Sequence, residues 1–98
     1  MSRAIFNRLA ERELHEAADH YDARSEDLGT EFLDEVWNAL SLLTRYPHLA
    51  PRIHGPVHRF VLPRFPYSIL YRPLPGGDLR VLAIAHHKQR PRYWIGRR

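Results

Sequence analysis

The sequence predicts an α+β fold: a short N-terminal strand, then an antiparallel hairpin of two helices packed on an antiparallel sheet built mainly from residues 57 to 87. Three observations carry that expectation. Apolar residues recur at helical spacing from Ala10 to Tyr46 and at alternating spacing from Val57 to His87, with Pro47, Pro51 and Pro56 clustered at the changeover. Two helices followed by a run of strands, rather than the two interleaved, favour a sheet covered by helices on one face. Finally, "LPGGD" offers Gly76 and Gly77 for positive φ, as a hairpin turn between two of the strands requires.

"RAIF" forms the opening strand, and Asn7 stands where a side-chain oxygen can cap the helix after it. From Ala10 to about Ser25, Leu14, Ala17, Ala18 and Tyr21 make an apolar stripe with charges between them. The second helix, from about Leu28 to Tyr46, carries Phe32, Leu33, Val36, Trp37, Leu40 and Leu43 on one stripe. Pro47 ends it, because proline disfavours helical backbone in the residue before it. "YPHLAPRIHGP" reads as a loop. In "VHRFVLP" the alternation sends His58, Phe60 and Leu62 to one face and Val57, Arg59 and Val61 to the other. "YSILYRP" alternates likewise. "LRVLAIAHH" is apolar on both faces after Arg80, the pattern of a central strand covered on both sides.

The 98 residues fit a single domain spanning 1–98. There is no cysteine, which excludes disulfides, thiolate metal sites, iron–sulfur clusters and cysteine nucleophiles, and fits a reducing compartment. No N-terminal apolar run is long enough for a signal peptide or a membrane span, so the expectation is a cytoplasmic protein with no membrane partner. The net charge of +4 is unevenly distributed. Ten carboxylates lie between Ala10 and Glu35, whereas Leu43 to Arg98 holds ten arginines and one lysine against Asp78 alone. A basic second half suggests a polyanion or an acidic protein as partner, although basic surfaces are also common on ordinary domains.

Seven histidines raise the question of metal, but the spacing answers against it. Adjacent strand residues such as His86 and His87 point to opposite faces, and His15 and His20 miss the same-face spacing of a helix. No His-Glu-x-x-His pattern occurs, so neither metal nor another cofactor is expected. "PGG" lacks the rest of a phosphate loop, and no serine sits in a nucleophile context.

What remains is a face made by Arg59, Arg64, Arg72, His86, His87, Lys88, Arg90 and Tyr93. Hairpin pairing puts His86 near Tyr67 and Ser68, and pairing of "HRFVL" on the other side brings Arg59 and Arg64 to the same region. Histidine, tyrosine and arginine can supply the base, acid and cations of metal-free RNA cleavage. Each also has a plainer reading: solvated strand arginines, a neutral strand-end histidine, and, for Trp94 above all, a hydrophobic clasp.

With "FPYSILYR" followed by "VLAIAHHKQRPRYW", and with "LAERELHEAADHY" and "FLDEVWNAL" in the two helices, the chain resembles the RelE/ParE superfamily of bacterial toxins from type II toxin–antitoxin modules. The resemblance is to the ParE-like, plasmid-stabilisation branch in particular. It implies a toxin in a hetero-oligomer with a cognate antitoxin, which wraps over the sheet and the helical hairpin. RelE-like members cut messenger RNA in the ribosomal A site, whereas ParE-like members poison DNA gyrase. For an RNA cutter, the matching catalytic positions here are Arg59, His87 and Tyr93. Val61 and Ser68 depart, standing where the cutters carry cations, and losing two cations from a site that stabilises a dianionic transition state is costly. The resemblance therefore implies gyrase poisoning ahead of endoribonuclease activity, with a detoxified antitoxin-binding subunit as a third reading. Binding of target or antitoxin is expected through Arg59, Arg64, Arg72, His86, Lys88, Arg90 and Arg92.

Overall fold

The structure, a computed structural model, describes residues 2–98. It runs through β1 (Ala4–Phe6), α1 (Arg8–Arg24), α2 (Leu28–Arg45), β2 (Arg52–His54), β3 (Val57–Val61), β4 (Tyr67–Pro73) and β5 (Leu79–His86). Helix α1 starts ahead of its apolar stripe because Asn7 caps it, Oδ1 accepting from the Leu9 N–H at 2.7 Å. The same residue donates its backbone N–H to the Val81 carbonyl at 2.8 Å and Nδ2 to the Arg98 carbonyl at 2.6 Å. One asparagine thus ties together the end of β1, the start of α1, the middle of β5 and the last residue. Between the helices, Asp22 Oδ1 accepts from the Gly29 N–H at 2.9 Å. A Cβ on Gly29 would collide with the Ala18 carbonyl and the Asp22 carboxylate, so the close approach of α1 to α2 requires glycine there.

The strands lie in the order β1-β5-β4-β3-β2. Strands β2 to β5 pair antiparallel, but β1 runs parallel to β5, with Ala4 beside Leu79 and Phe6 beside Val81, so the sheet is mixed. Three residues are too few to carry a period, and nothing in "AIF" announces a direction. Strand β2 also departs from the expected loop. All three of its residues are exposed and prolines 51 and 56 flank it, which removes both the alternation and the uninterrupted run by which a strand is recognised. It occupies a sheet edge, where neighbouring prolines are tolerated. The segment leading into it is pinned from inside: buried His58 donates Nδ1–H to the Ala50 carbonyl at 2.6 Å, and the Tyr71 hydroxyl donates to the Pro47 carbonyl at 2.8 Å.

Leu14, Ala17, Ala18 and Tyr21 of α1 and Phe32, Val36, Leu40 and Leu43 of α2 pack on Ile69, Tyr71, Leu79, Val81 and Ile84 of the sheet. Tyr21, Phe32, Phe65 and Tyr67 interlock with ring centroids 4.9 to 6.2 Å apart, each such pair adding about 0.5–1.5 kcal/mol beyond its burial. Trp37 does not share the core of its stripe; it is 49 % exposed, tilted against Phe6 at the edge. On the opposite sheet face Val57, Leu70, Leu82 and Ala83 form a smaller core closed by Trp94, so β5 is covered on both sides as its composition predicts.

One irregularity sets which way the end of β5 faces. Leu70 pairs with Ala83 but Tyr71 pairs with Val81, which leaves Leu82 as an extra residue, a bulge in β5. Before it Leu79 and Val81 face the helices; after it Ile84 does, while Ala83 and Ala85 face away.

Candidate functional site

On the sheet face away from the helices, three side chains from three consecutive strands meet at Ser68. The hydroxyl belongs to β4 and is 2 % exposed. From β3, the Arg59 Nε donates to it at 3.0 Å, and from the end of β5 the His87 Nε2 stands 3.1 Å away. Unbroken alternation from Leu79 would turn His87 toward the helices; the Leu82 bulge turns it here instead. Arginine only donates, so Ser68 accepts from Arg59 and keeps its own proton to donate to a neutral His87. If the imidazole is protonated, Nε2–H donates into the second lone pair of Ser68, and the contact survives in either charge state.

These residues floor a cleft of about 280 Å³ between the β2 edge and the turn after β5. Ile53, Leu70, Ala85 and Trp94 supply apolar walls, while His54, Arg90 and Arg92 stand around it. Among the described residues no Asp or Glu lines the cleft. Among the described residues the ion pairs are Arg64 with Glu31 and Arg97 with Glu13, so Arg59, Arg90 and Arg92 keep their charge uncompensated. A concave surface lined by one sign of charge focuses a positive potential.

The expected site residues divide on inspection. Arg59 and His87 converge as described, and Arg90 and Arg92 line the same cleft. Tyr93 contributes its ring to the cleft, but its hydroxyl points to α1 and donates to Glu13 Oε2 at 2.7 Å. Burial and the neighbouring carboxylate push that phenol well above its ordinary range, so it holds its proton firmly. The Arg59, His87 and Tyr93 trio of an RNA cutter is therefore not assembled as one proton-transfer set. His86 lies beside Tyr67, its partner in β4, as expected, and borders the cleft, but its ring faces the helix side rather than Ser68, edge-on to Tyr67 at 4.9 Å, with Nδ1 accepting from the Lys88 N–H at 3.0 Å. Burial first, then the charges of His87, Lys88 and His20, hold His86 below the usual imidazole range, which keeps it neutral. Arg64 does not join the cleft either: it reaches α2, 2.9 Å from Glu31, because the chain turns away from the sheet after β3. Arg72 pairs across β4 and β5 with Arg80, outside the cleft, and Lys88 is exposed beside it.

Two structural residues escaped the sequence reading. Glu13 accepts from the Ile84 N–H at 3.1 Å, from Arg97 Nη1 at 2.8 Å and from Tyr93, and Arg97 also donates to the Leu82 carbonyl at 3.1 Å. Together they satisfy the edge of β5 that the short β1 leaves open, and they fold the tail onto the sheet. The partners lie more than seventy residues apart, and a Glu on an amphipathic helix looks like any solvated charge. Among the described residues no group of three or more His, Asp or Glu is arranged to hold a metal ion, and no helix is long and apolar enough to cross a membrane.

Comparison with known proteins bears on the family and the fold. The profile of the family described as "ParE toxin of type II toxin-antitoxin system, parDE" matches residues 4–91. Among solved structures, the chain is similar to one described as "Chromosomal ParDE TA system from P. aeruginosa", with a TM-score of 0.59 over 88 % of this chain and 95 % of that one. At 22 % identity that likeness is one of fold. No curated protein sequence matches the chain.

Proposed function

The chain belongs to the ParE toxin family of type II toxin–antitoxin systems, and from that membership we propose that it poisons DNA gyrase in the cytoplasm and is neutralised by a cognate antitoxin. On this reading the protein performs no chemistry of its own. The observation that carries it is the hydrogen bond from Tyr93 to Glu13, which takes the expected proton donor out of the cleft shared by Arg59 and His87. Metal-free RNA cleavage needs one group to take a proton and another to give one. Here His87 stands without a second acid, and neutral Val61 and Ser68 occupy positions where cutters hold cations. A cationic cleft with apolar walls is instead suited to gripping an acidic protein surface, which sets register and association rate.

A second reading has one observation in its favour: Arg59 and His87 do meet, on the floor of a cleft free of carboxylates. That pair is the remnant an endoribonuclease would use. Induction in cells lacking antitoxin separates the two. Gyrase poisoning predicts a DNA-damage response before translation fails, and toxicity that persists in His87→Gln. Early loss of translation, abolished by His87→Gln in a folded protein, would establish the nuclease instead. A chain that disturbs neither process is a binding subunit alone.

A further inference from the structure

We propose that the cleft over Ser68 seats one carboxylate side chain of the neutralising antitoxin, with the adjoining apolar residue of that partner lying against Ile53 and Trp94. This rests on the reading of the chain as an antitoxin-bound toxin and adds what the cleft recognises. The physical basis begins with Arg59. Its Nε is fixed on Ser68 at 3.0 Å, which sets the plane of the guanidinium and leaves Nη1 and Nη2 as an oriented fork. Such a fork matches the two oxygens of a carboxylate, and its pre-organisation lowers the entropy lost on binding. Arg90 and Arg92 add positive charge around it, and among the described residues no lining carboxylate competes.

The floor distinguishes a carboxylate from a phosphate. A phosphate dianion calls for converging cations at the bottom of its site, yet the deepest polar group here is the neutral hydroxyl of Ser68, 2 % exposed. Val61, on the same sheet face as Arg59, is likewise uncharged. The shape points the same way. A nucleic-acid backbone tracks along an extended basic groove, whereas this cleft is short, concave and partly apolar, with Ile53 44 % exposed at its rim. An acidic side chain next to an aliphatic one fits that combination of charge and wall.

Amide and side-chain N–H spectra of the ¹⁵N-labelled full chain test the assignment with three probes: acetyl-Leu-Asp-Leu-amide, acetyl-Leu-Asn-Leu-amide and inorganic phosphate. The Asp peptide should move the Arg59 Nε–H and Trp94 indole signals and bind about tenfold or more tighter than the Asn peptide. Arg59→Gln should lose that preference and Arg59→Lys, which keeps the charge without the fork, should weaken it. Arg45→Gln, which removes the same charge from the end of α2, should leave it unchanged. Equal responses to the two peptides, or tighter binding of phosphate than of the Asp peptide, would overturn the proposal, and the latter would mark a seat for nucleic acid. Gyrase inhibition is scored on the same preparations. Inhibition without peptide selectivity removes only the carboxylate seat; selectivity without inhibition removes only the toxin reading.

Discussion

His87 reaches Ser68, 3.1 Å away, because Leu82 occupies an extra position in β5. The strand could have delivered either histidine to the sheet face that carries Arg59, and the bulge, by placing both Leu82 and Ala83 on that face, selects His87 and sends His86 to the helices.

Deleting Leu82 should restore regular pairing between β4 and β5 and leave both histidines in place. Tyr71 still pairs with Val81 and Leu70 with Ala83, so Ala83, Ala85 and His87 keep the face that carries Arg59. The variant should keep the Arg59–Ser68–His87 contact but lose stability, since Leu82 leaves the smaller core. The check is the histidine ring proton spectrum beside urea unfolding: His86 and His87 should keep their environments in a less stable protein, and exchanged environments would show that Leu82 is not the extra residue of the bulge.

Tyr93→Phe should cost stability rather than function. It removes a hydrogen bond to a charged acceptor, worth about 1.5–3 kcal/mol, while Arg97 still satisfies Glu13. Urea unfolding should report that loss with an unchanged slope, and toxicity should survive at temperatures where the variant is folded. A variant as stable as the wild type would mean that the phenol is not held by Glu13.

Trp94→Ala should be more severe. Trp94 is 6 % exposed over Val57, Leu70, Leu82 and Ala83, and truncating a buried tryptophan costs about 3–5 kcal/mol. The loss should appear together with rapid hydrogen exchange in β5 and the tail, because Trp94 is what covers that face. Exchange confined to the last few residues would show that the tail carries little of the sheet's stability.

The pH dependence of stability centres on His86. Its pKa is lowered by burial first and then by His87, Lys88 and His20, so the folded chain binds fewer protons there than the unfolded chain does near pH 6.5. Stability should rise with pH through that region, and a penalty should develop as pH falls below 6.5 toward the lower folded value. His86→Gln removes the penalty, so its Tm relative to the wild type should improve as pH drops across roughly 8 to 5. A constant difference in Tm over that range would mean that His86 does not titrate differently on folding.

Much of the fold was legible in the sequence, for physical reasons that differ between elements. The helices and strands β3 and β4 announce themselves by period and β5 by its apolar run, and "AIAHHKQRPRYW" correctly signals a charged strand end followed by a clasp. Strand β2 is silent because exposed residues between prolines have no period. The bulge is silent because β5 is apolar on both faces, and a shift in alternation leaves no trace when both sides are buried. Arg59 and His87 could be foreseen as neighbours from strand order, but their meeting through Ser68 depended on the bulge. The fate of Tyr93 depended on Glu13, whose spacing along α1 marks only a surface charge.

The central claim is that the chain acts on gyrase by binding and not by acid–base catalysis. Supercoiling of relaxed plasmid by purified gyrase, with the purified wild type and with folded His87→Gln and Tyr93→Phe, tests it directly. The account predicts inhibition by all three within a few-fold, with accumulation of cleaved plasmid. General acid or base removal would instead lower a catalysed rate by about 100- to 10,000-fold. Undisturbed gyrase, with ribosome-dependent cutting of messenger RNA that His87→Gln abolishes, would contradict it.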